Sequence, residues 1–216
     1  MRRGCYSARI PRGTAGGRNT AILEASHSEC KRLLATIMMQ RPPSIETERL
    51  LLVALVPEDI EALIAGDLER VSLLTGFTFL PKDPKLGADL SWHLNALRAD
   101  SNQLSWRIRV IVERCSNTVV GSINLKGPPS ADGDVEIGWG LIENARRKGY
   151  ATEASAAVLI WVVQQPGINS ISATIPDDNY PSQRLAARLG LIRTGENRRN
   201  RPLWKCDRNF IVNTAS

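Results

Sequence analysis

The chain is poor in the residues from which several common sites are built. It has four cysteines and two histidines in 216 residues. Cys5, Cys30, Cys115 and Cys206 are scattered and form no Cys-x-x-Cys pair, and His27 and His93 stand far apart, so no metal site is expected. Isolated cysteines suit a reduced intracellular protein better than a disulfide framework. No apolar run approaches the length of a membrane span, and no membrane partner is expected. Internal repeats and low-complexity segments are also lacking. Positive charge is present but badly spread. Residues 1–37 carry Arg2, Arg3, Arg9, Arg12, Arg18, Lys31 and Arg32 against Glu24 and Glu29, which is about +5 of the formal +6. The remainder is nearly neutral, so the high pI of 9.5 is no argument for a nucleic-acid-binding domain.

What is present is enough for one folded domain with a tail: 43% of the residues are hydrophobic and 23% charged. The most informative stretch is 135–154. Val135, Ile137, Trp139 and Leu141 alternate with other residues, the period of a half-buried strand. From Ala151 the chain turns to Ala, Val, Leu, Ile and Trp at helical spacing, up to Gln165-Pro166-Gly167. Between the two lies Arg146-x-x-Gly149-x-Ala151. A helix that starts there leaves its first amides without helical partners, with the positive end of its dipole behind them, and so suits a phosphate. A P-loop is excluded, because no Gly-Lys-Ser/Thr follows a first glycine. The three-glycine dinucleotide fingerprint is absent too. An ordinary solvated basic turn is the competing reading.

The run Arg146-Arg147-Lys148-Gly149-Tyr150-Ala151-Thr152-Glu153-Ala154 resembles the acetyl-CoA-binding motif of the GNAT superfamily of N-acetyltransferases, in the branch that includes ribosomal-protein N-terminal (alanine/serine) acetyltransferases. A second stretch resembles the same family: Asn179-x-x-Ser182, then a helix, then Arg188 and Gly190-Leu191. Leu191 replaces the usual aromatic and Arg188 the usual lysine. Glu46-Thr47-Glu48-Arg49-Leu50-Leu51-Leu52 is similar to the branch's opening strand. The resemblance implies a mixed α/β (α+β) fold: a mostly antiparallel twisted sheet of about six to seven strands, helices on both faces, and a splayed central parallel pair, here around 136–142 and 168–175. It also implies a basic extension over 1–43 and a catalytic domain over 44–216.

The resemblance further implies roles. Amides of Arg147, Lys148, Gly149, Tyr150, Ala151 and Thr152 would bind the pyrophosphate of acetyl-CoA, with charge from Arg146 and Lys148. Backbone groups of Trp139, Gly140 and Leu141 would pair with the pantetheine arm, and Asn179 and Ser182 would face it. Glu136 is the candidate general base, acting through water, and Ser182 a substitute acid. The tyrosine that many members place seven residues after the motif asparagine is missing, since Ala186 stands there. The expected activity is transfer of an acetyl group to a primary amine, on a protein N-terminus or a small molecule. The alternative is a non-catalytic acyl-CoA-binding module.

Elsewhere the pattern predicts a strand over 45–55, a helix from Pro57 to about Gly66, irregular chain over 67–84, and a helix over 86–99 with Leu90, Leu94 and Leu97 on one face. Phe77, Phe79 and Leu80 belong to a loop over the core or to a wall of the acceptor pocket. His93 is expected at the surface or partly packed. A hairpin joins 106–113 to 118–125. Strand-like segments at 203–206 and 210–212 close the chain, and the basic loop 197–201 reads as solvated surface, with contact to an acidic acceptor or to cofactor phosphates as the lesser alternative. The Arg-rich tail reads as disordered or partly helical, as a mitochondrial targeting segment, or as translation upstream of Met38 or Met39. A cytoplasmic monomer or homodimer is the default expectation.

Overall fold

The computed structural model describes residues 41–80 and 89–214. The readings of the tail, and the predicted start of a helix at Leu86, lie outside them. Eight strands form one sheet: β1 (Ile45–Glu46), β2 (Leu50–Ala54), β3 (Ile108–Glu113), β4 (Thr118–Leu125), β5 (Asp134–Leu141), β6 (Ser170–Thr174), β7 (Ile192–Arg198) and β8 (Arg201–Asp207). Their order is β1-β2-β3-β4-β5-β6-β8-β7. Every pairing is antiparallel except β5 with β6. This is the mixed sheet that the resemblance implied, with eight strands instead of six to seven.

The extra strands have local causes. The predicted first strand breaks at Thr47, whose amide and hydroxyl both reach Leu50 O, and the chain folds back so that Ile45 faces Leu52. Residues 192–198, which sequence reasoning did not assign, pair with β8 as an exposed edge strand. Its polar sequence hides it from a search for apolar alternation. The segment predicted as a strand at 210–212 is instead helical.

Among the described residues the helices are α1 (Pro57–Ile64), α2 (Leu68–Thr75), α3 (Leu90–Ala99), α4 (Tyr150–Val163), α5 (Tyr180–Arg188) and α6 (Arg208–Thr214), with short 3-10 turns at Ser101–Trp106 and Glu143–Ala145. Pro57 opens α1, and the Asp59 carboxylate accepts from Val56 N at 2.9 Å. Where irregular chain was expected, α2 is capped by Asp67 and ended by Gly76 at φ 77°. Both signals stand in the sequence, but eight residues with modest periodicity did not make them visible. None of these helices is long and apolar enough to cross a membrane.

Alternation along the strands gives the sheet two unlike faces. Leu52, Ile111, Ile123, Leu125, Val135, Ile137 and Ile171 point to one face and pack with α4, α5 and α6. The opposite face begins with buried Val53 and Val110 and becomes polar towards β5 and β6. There it carries Ser122, Asn124, Asp134, Glu136, Ser170 and Ser172, all buried.

Candidate functional site

Strands β5 and β6 run together for three residue pairs only. Asp134, Val135 and Glu136 face Ser170, Ile171 and Ser172. Beyond them β5 continues along β4 to the pair Gly121–Leu141, while β6 continues along β8 to the pair Thr174–Leu203. Residues 137–141 are therefore laddered on one edge, and the strands part at Glu136. The joined end is fixed by side chains. Ser170 Oγ and Ser172 Oγ donate to Asp134 at 2.9 and 2.7 Å, and Arg198 reaches the same carboxylate at 3.2 Å. Gly133, at φ 72°, starts the pairing where a Cβ would lie 2.6 Å from Gly167 O.

The free edge leads into the basic turn. Arg146 Nε donates to Leu141 O at 3.2 Å. Arg147 has φ 63° and Gly149, the residue before α4, has φ 83°. Two left-handed residues in so short a stretch curl the chain under the helix start. Helix α4 has no side-chain cap, and its first internal bond runs from Glu153 N to Gly149 O at 3.0 Å. The amides of Tyr150, Ala151 and Thr152 precede that bond and have no helical acceptor. The turn is braced from the outside. Arg49 donates from Nη1 to Lys148 O at 3.0 Å and from Nε to Glu153 at 2.7 Å, and Thr47 Oγ1 donates to Glu153 at 2.6 Å. Partial burial acts to raise the Glu153 carboxyl, but the hydrogen bonds from Thr47 and Arg49 and the Arg49 charge together outweigh it and hold the group below the usual carboxylate range. With Glu153 spoken for, the helix start keeps its positive potential.

On the β6 side, Asn179 caps α5, accepting from Ser182 N at 3.2 Å. Ser182 Oγ in turn accepts from Trp139 Nε1 at 3.3 Å, joining β5 to α5. Ala186 is fully buried in the apolar core. The two tyrosines near the motifs lie apart from this point: Tyr150 is buried, donates to Glu113 and sits under Arg49 at 4.8 Å, and Tyr180 is 64% exposed.

Glu136 stands where the strands separate. It accepts from Thr174 Oγ1 at 3.0 Å, from Arg198 Nη1 at 3.1 Å and from Arg199. Residues 197–201 are largely exposed, as the solvated-surface reading expects, but the β7–β8 hairpin also folds Arg198 and Arg199 over the polar face, because its turn lies past the end of β6. His93 also departs from expectation. It is fully buried, and among the described residues neither ring nitrogen has a hydrogen-bond partner. Burial, then the charges of Lys126 and Arg107, push its pKa down to about 4, against a smaller opposing effect of Asp89. Trp92 joins these groups, stacking under Arg107 at 4.6 Å and Lys126 at 5.6 Å. No local pattern could have revealed this cluster, which draws on α3, β4 and the approach to β3. Of the apolar trio 77–80, Phe79 is buried and Leu80 is exposed.

Comparison with known proteins bears on the family and the fold. Residues 49–192 match the family described as Acetyltransferase (GNAT) domain. The uncharacterized N-acetyltransferase YjdG of Bacillus subtilis is 33% identical over 88 residues, 41% of this chain and 51% of that protein. The match therefore spans about half the length of that relative. The ribosomal-protein-S5-alanine acetyltransferase from Vibrio fischeri has the same fold at a TM-score of 0.55 and 15% identity, covering 78% of this chain and 98% of that one. The spermidine/spermine N-acetyltransferase SpeG from Vibrio cholerae superposes at a TM-score of 0.55 and 13% identity, over 79% of this chain and 100% of its own. At these identities the two solved structures show a shared fold.

Proposed function

The chain belongs to the GNAT acetyltransferase family, and from that premise we propose that it is an N-acetyltransferase that uses acetyl-CoA. The observation that carries this reading is the single-edged stretch 137–141 running into the uncapped start of α4. An extended ligand arm can add to that edge as a strand would, over roughly 13 Å for four residue steps, and end with its phosphates on helix amides. Amides of residues 147–152 would hold the pyrophosphate, Arg146 and Lys148 would add charge, and Trp139, Gly140 and Leu141 would align the arm. Asn179 and Ser182 stand on the far side. The ligand supplies an activated acetyl thioester.

The protein's own groups then have to receive an amine, take its proton and provide one to the departing sulfur. Glu136 is the proposed base, through water. Thr174, Arg198 and Arg199 already occupy its oxygens, so Arg199, which is 57% exposed, must swing aside first. Ser182 is the proposed acid: its oxygen accepts from Trp139, which leaves its own proton to donate. Ala186 cannot supply one. The domain proposed to do this is 44–216, with 1–43 as an extension.

The test is thermal unfolding with and without acetyl-CoA, followed by thiol release with a panel of primary amines. A rise in Tm and acceptor-dependent release are expected. No shift at millimolar acetyl-CoA would end the reading. A shift without release on any amine or peptide would favour the non-catalytic acyl-CoA-binding alternative, for which the buried Ala186 is the specific observation.

A further inference from the structure

We propose that the acceptor carries a carboxylate close to its reacting amine, and that Lys126, Arg199 and Arg201 receive it. This deepens the acetyltransferase reading and rests on it. The polar face past the parting of β5 and β6 is over-supplied with cations. Lys126, Arg198, Arg199 and Arg201 stand against Asp134 and Glu136, with Asp89 at the edge. Both inner carboxylates are already engaged: Asp134 with Arg198, its two serines and, at 3.9 Å, Lys205; Glu136 with Arg198, Arg199 and Thr174. Among the described residues Lys126 and Arg201 enter no ion pair with them.

Lys126 is the informative residue. It is half-buried above the Trp92 ring, and its pKa is lowered, first by burial and also by the charges of Arg199 and Arg201, although Glu136 and Asp89 oppose this. An ammonium held among guanidiniums in a desolvated corner is matched by an incoming anion and opposed by an incoming cation. Independent of charge, two buried polar groups in the same region lack hydrogen-bond partners among the described residues: both nitrogens of His93, next to Trp92, and Asn124 Oδ1, two residues before Lys126 on the same face. His93, uncharged at neutral pH, can donate one hydrogen bond and accept another.

The hairpin turn adds a positional argument. Arg198 pairs with Arg201, so Arg199 and Asn200 form a two-residue loop, and both have positive φ, 55° and 58°. Such loops favour Asn-Gly, and an arginine in the first position is unfavourable. Its side chain lies back across the site onto Glu136. An acceptor carboxylate can exchange with Glu136 for Arg199, which leaves Glu136 with only Thr174 and Arg198 at the moment the amine arrives. A polyamine has no such exchange to offer and meets the surplus cations directly.

The carboxylate can come from a free amino acid or from an acidic side chain near a peptide N-terminus. The experiment uses the full chain with acetyl-CoA and follows thiol release for the peptide amides Ser-Glu-Glu, Ser-Gln-Gln and Ser-Lys-Lys, for free aspartate and glutamate, and for spermidine. A kcat/KM at least tenfold higher for Ser-Glu-Glu than for Ser-Lys-Lys is expected, falling with added salt. Lys126→Gln combined with Arg201→Gln should reduce that ratio below threefold while the Tm shift with acetyl-CoA stays as in the wild type. Preference for the free acids over the peptide would place the carboxylate on a small molecule. Equal use of the three peptides, or preference for spermidine, overturns the proposal and leaves the acetyltransferase reading intact. Loss of all acetyl-CoA binding by the wild type removes both. If no amine turns over, the CoA-bound protein must still be stabilised more by Ser-Glu-Glu than by Ser-Lys-Lys; equal shifts reject the carboxylate site.

Discussion

Replacing His93 by leucine should make the protein less sensitive to acid. His93 is fully buried, both its nitrogens lack partners among the described residues, and its pKa is pushed down to about 4 from 6.5. The groups facing it are Lys126 and Arg107, which lower the pKa, and Asp89, which opposes them, while desolvation is the largest cause. A histidine whose folded pKa lies below its unfolded one costs nothing above pH 6.5. As pH falls towards 4 the unfolded chain binds a proton that the folded one refuses, and stability is lost across that window. At about 1.36 kcal/mol per pKa unit, the loss is about 2 kcal/mol at pH 5 and about 3 kcal/mol at pH 4. His93→Leu keeps the volume nearly unchanged and removes both the titration and two desolvated nitrogens. The difference in unfolding free energy between variant and wild type should therefore widen by about 2 kcal/mol from pH 7.5 to pH 5, or roughly 4–8 °C in Tm for a domain of this size. Taking the difference cancels the carboxylates, which titrate in both proteins. Parallel stability curves over this range would show that His93 has solvent or a partner when folded, and would refute the argument.

Other substitutions test other parts of the fold. Gly149→Glu should abolish stabilisation by acetyl-CoA, since it places bulk and negative charge at the turn and a Cβ at φ 83°; wild-type affinity would refute the placement of the phosphates. Asp59→Ala should cost about 3–5 kcal/mol in chemical denaturation, because it strands the buried Arg41 guanidinium, paired at 2.7 Å, and uncaps α1. A loss under 1 kcal/mol would mean that Arg41 escapes to water. Ala186→Tyr, which installs the family's usual tyrosine, should lower stability by about 1–3 kcal/mol or more and leave activity no higher, since Ala186 is enclosed by the core; increased turnover would show that the position opens onto the slot.

The sequence was sufficient wherever a feature is contiguous. The strand, turn and helix of 134–163 follow from alternation, a glycine at positive φ and an apolar helical run, all within about thirty residues. Gly149 before α4 is likewise a local backbone requirement and stands at the helix start as expected, and the cap formed by Asn179 is local too. Short or polar elements were not legible: α2 is brief, β7 carries no apolar alternation, and the apolar run at 210–212 suits a strand or a helix equally well until Ile211 is seen inside the core. Tertiary structure alone decided what surrounds the chemistry. Arg199 meets Glu136 across 63 residues, and Tyr150 meets Glu113 across 37, because sheet register and not sequence distance sets those neighbours. The same register buries His93 beside Lys126 and turns Ala186 into the core. A phosphate cradle is made of consecutive amides and can be read from one segment. The proposed acceptor site draws on α3, β4, β5 and the β7–β8 turn, and only the folded chain brings their charges together.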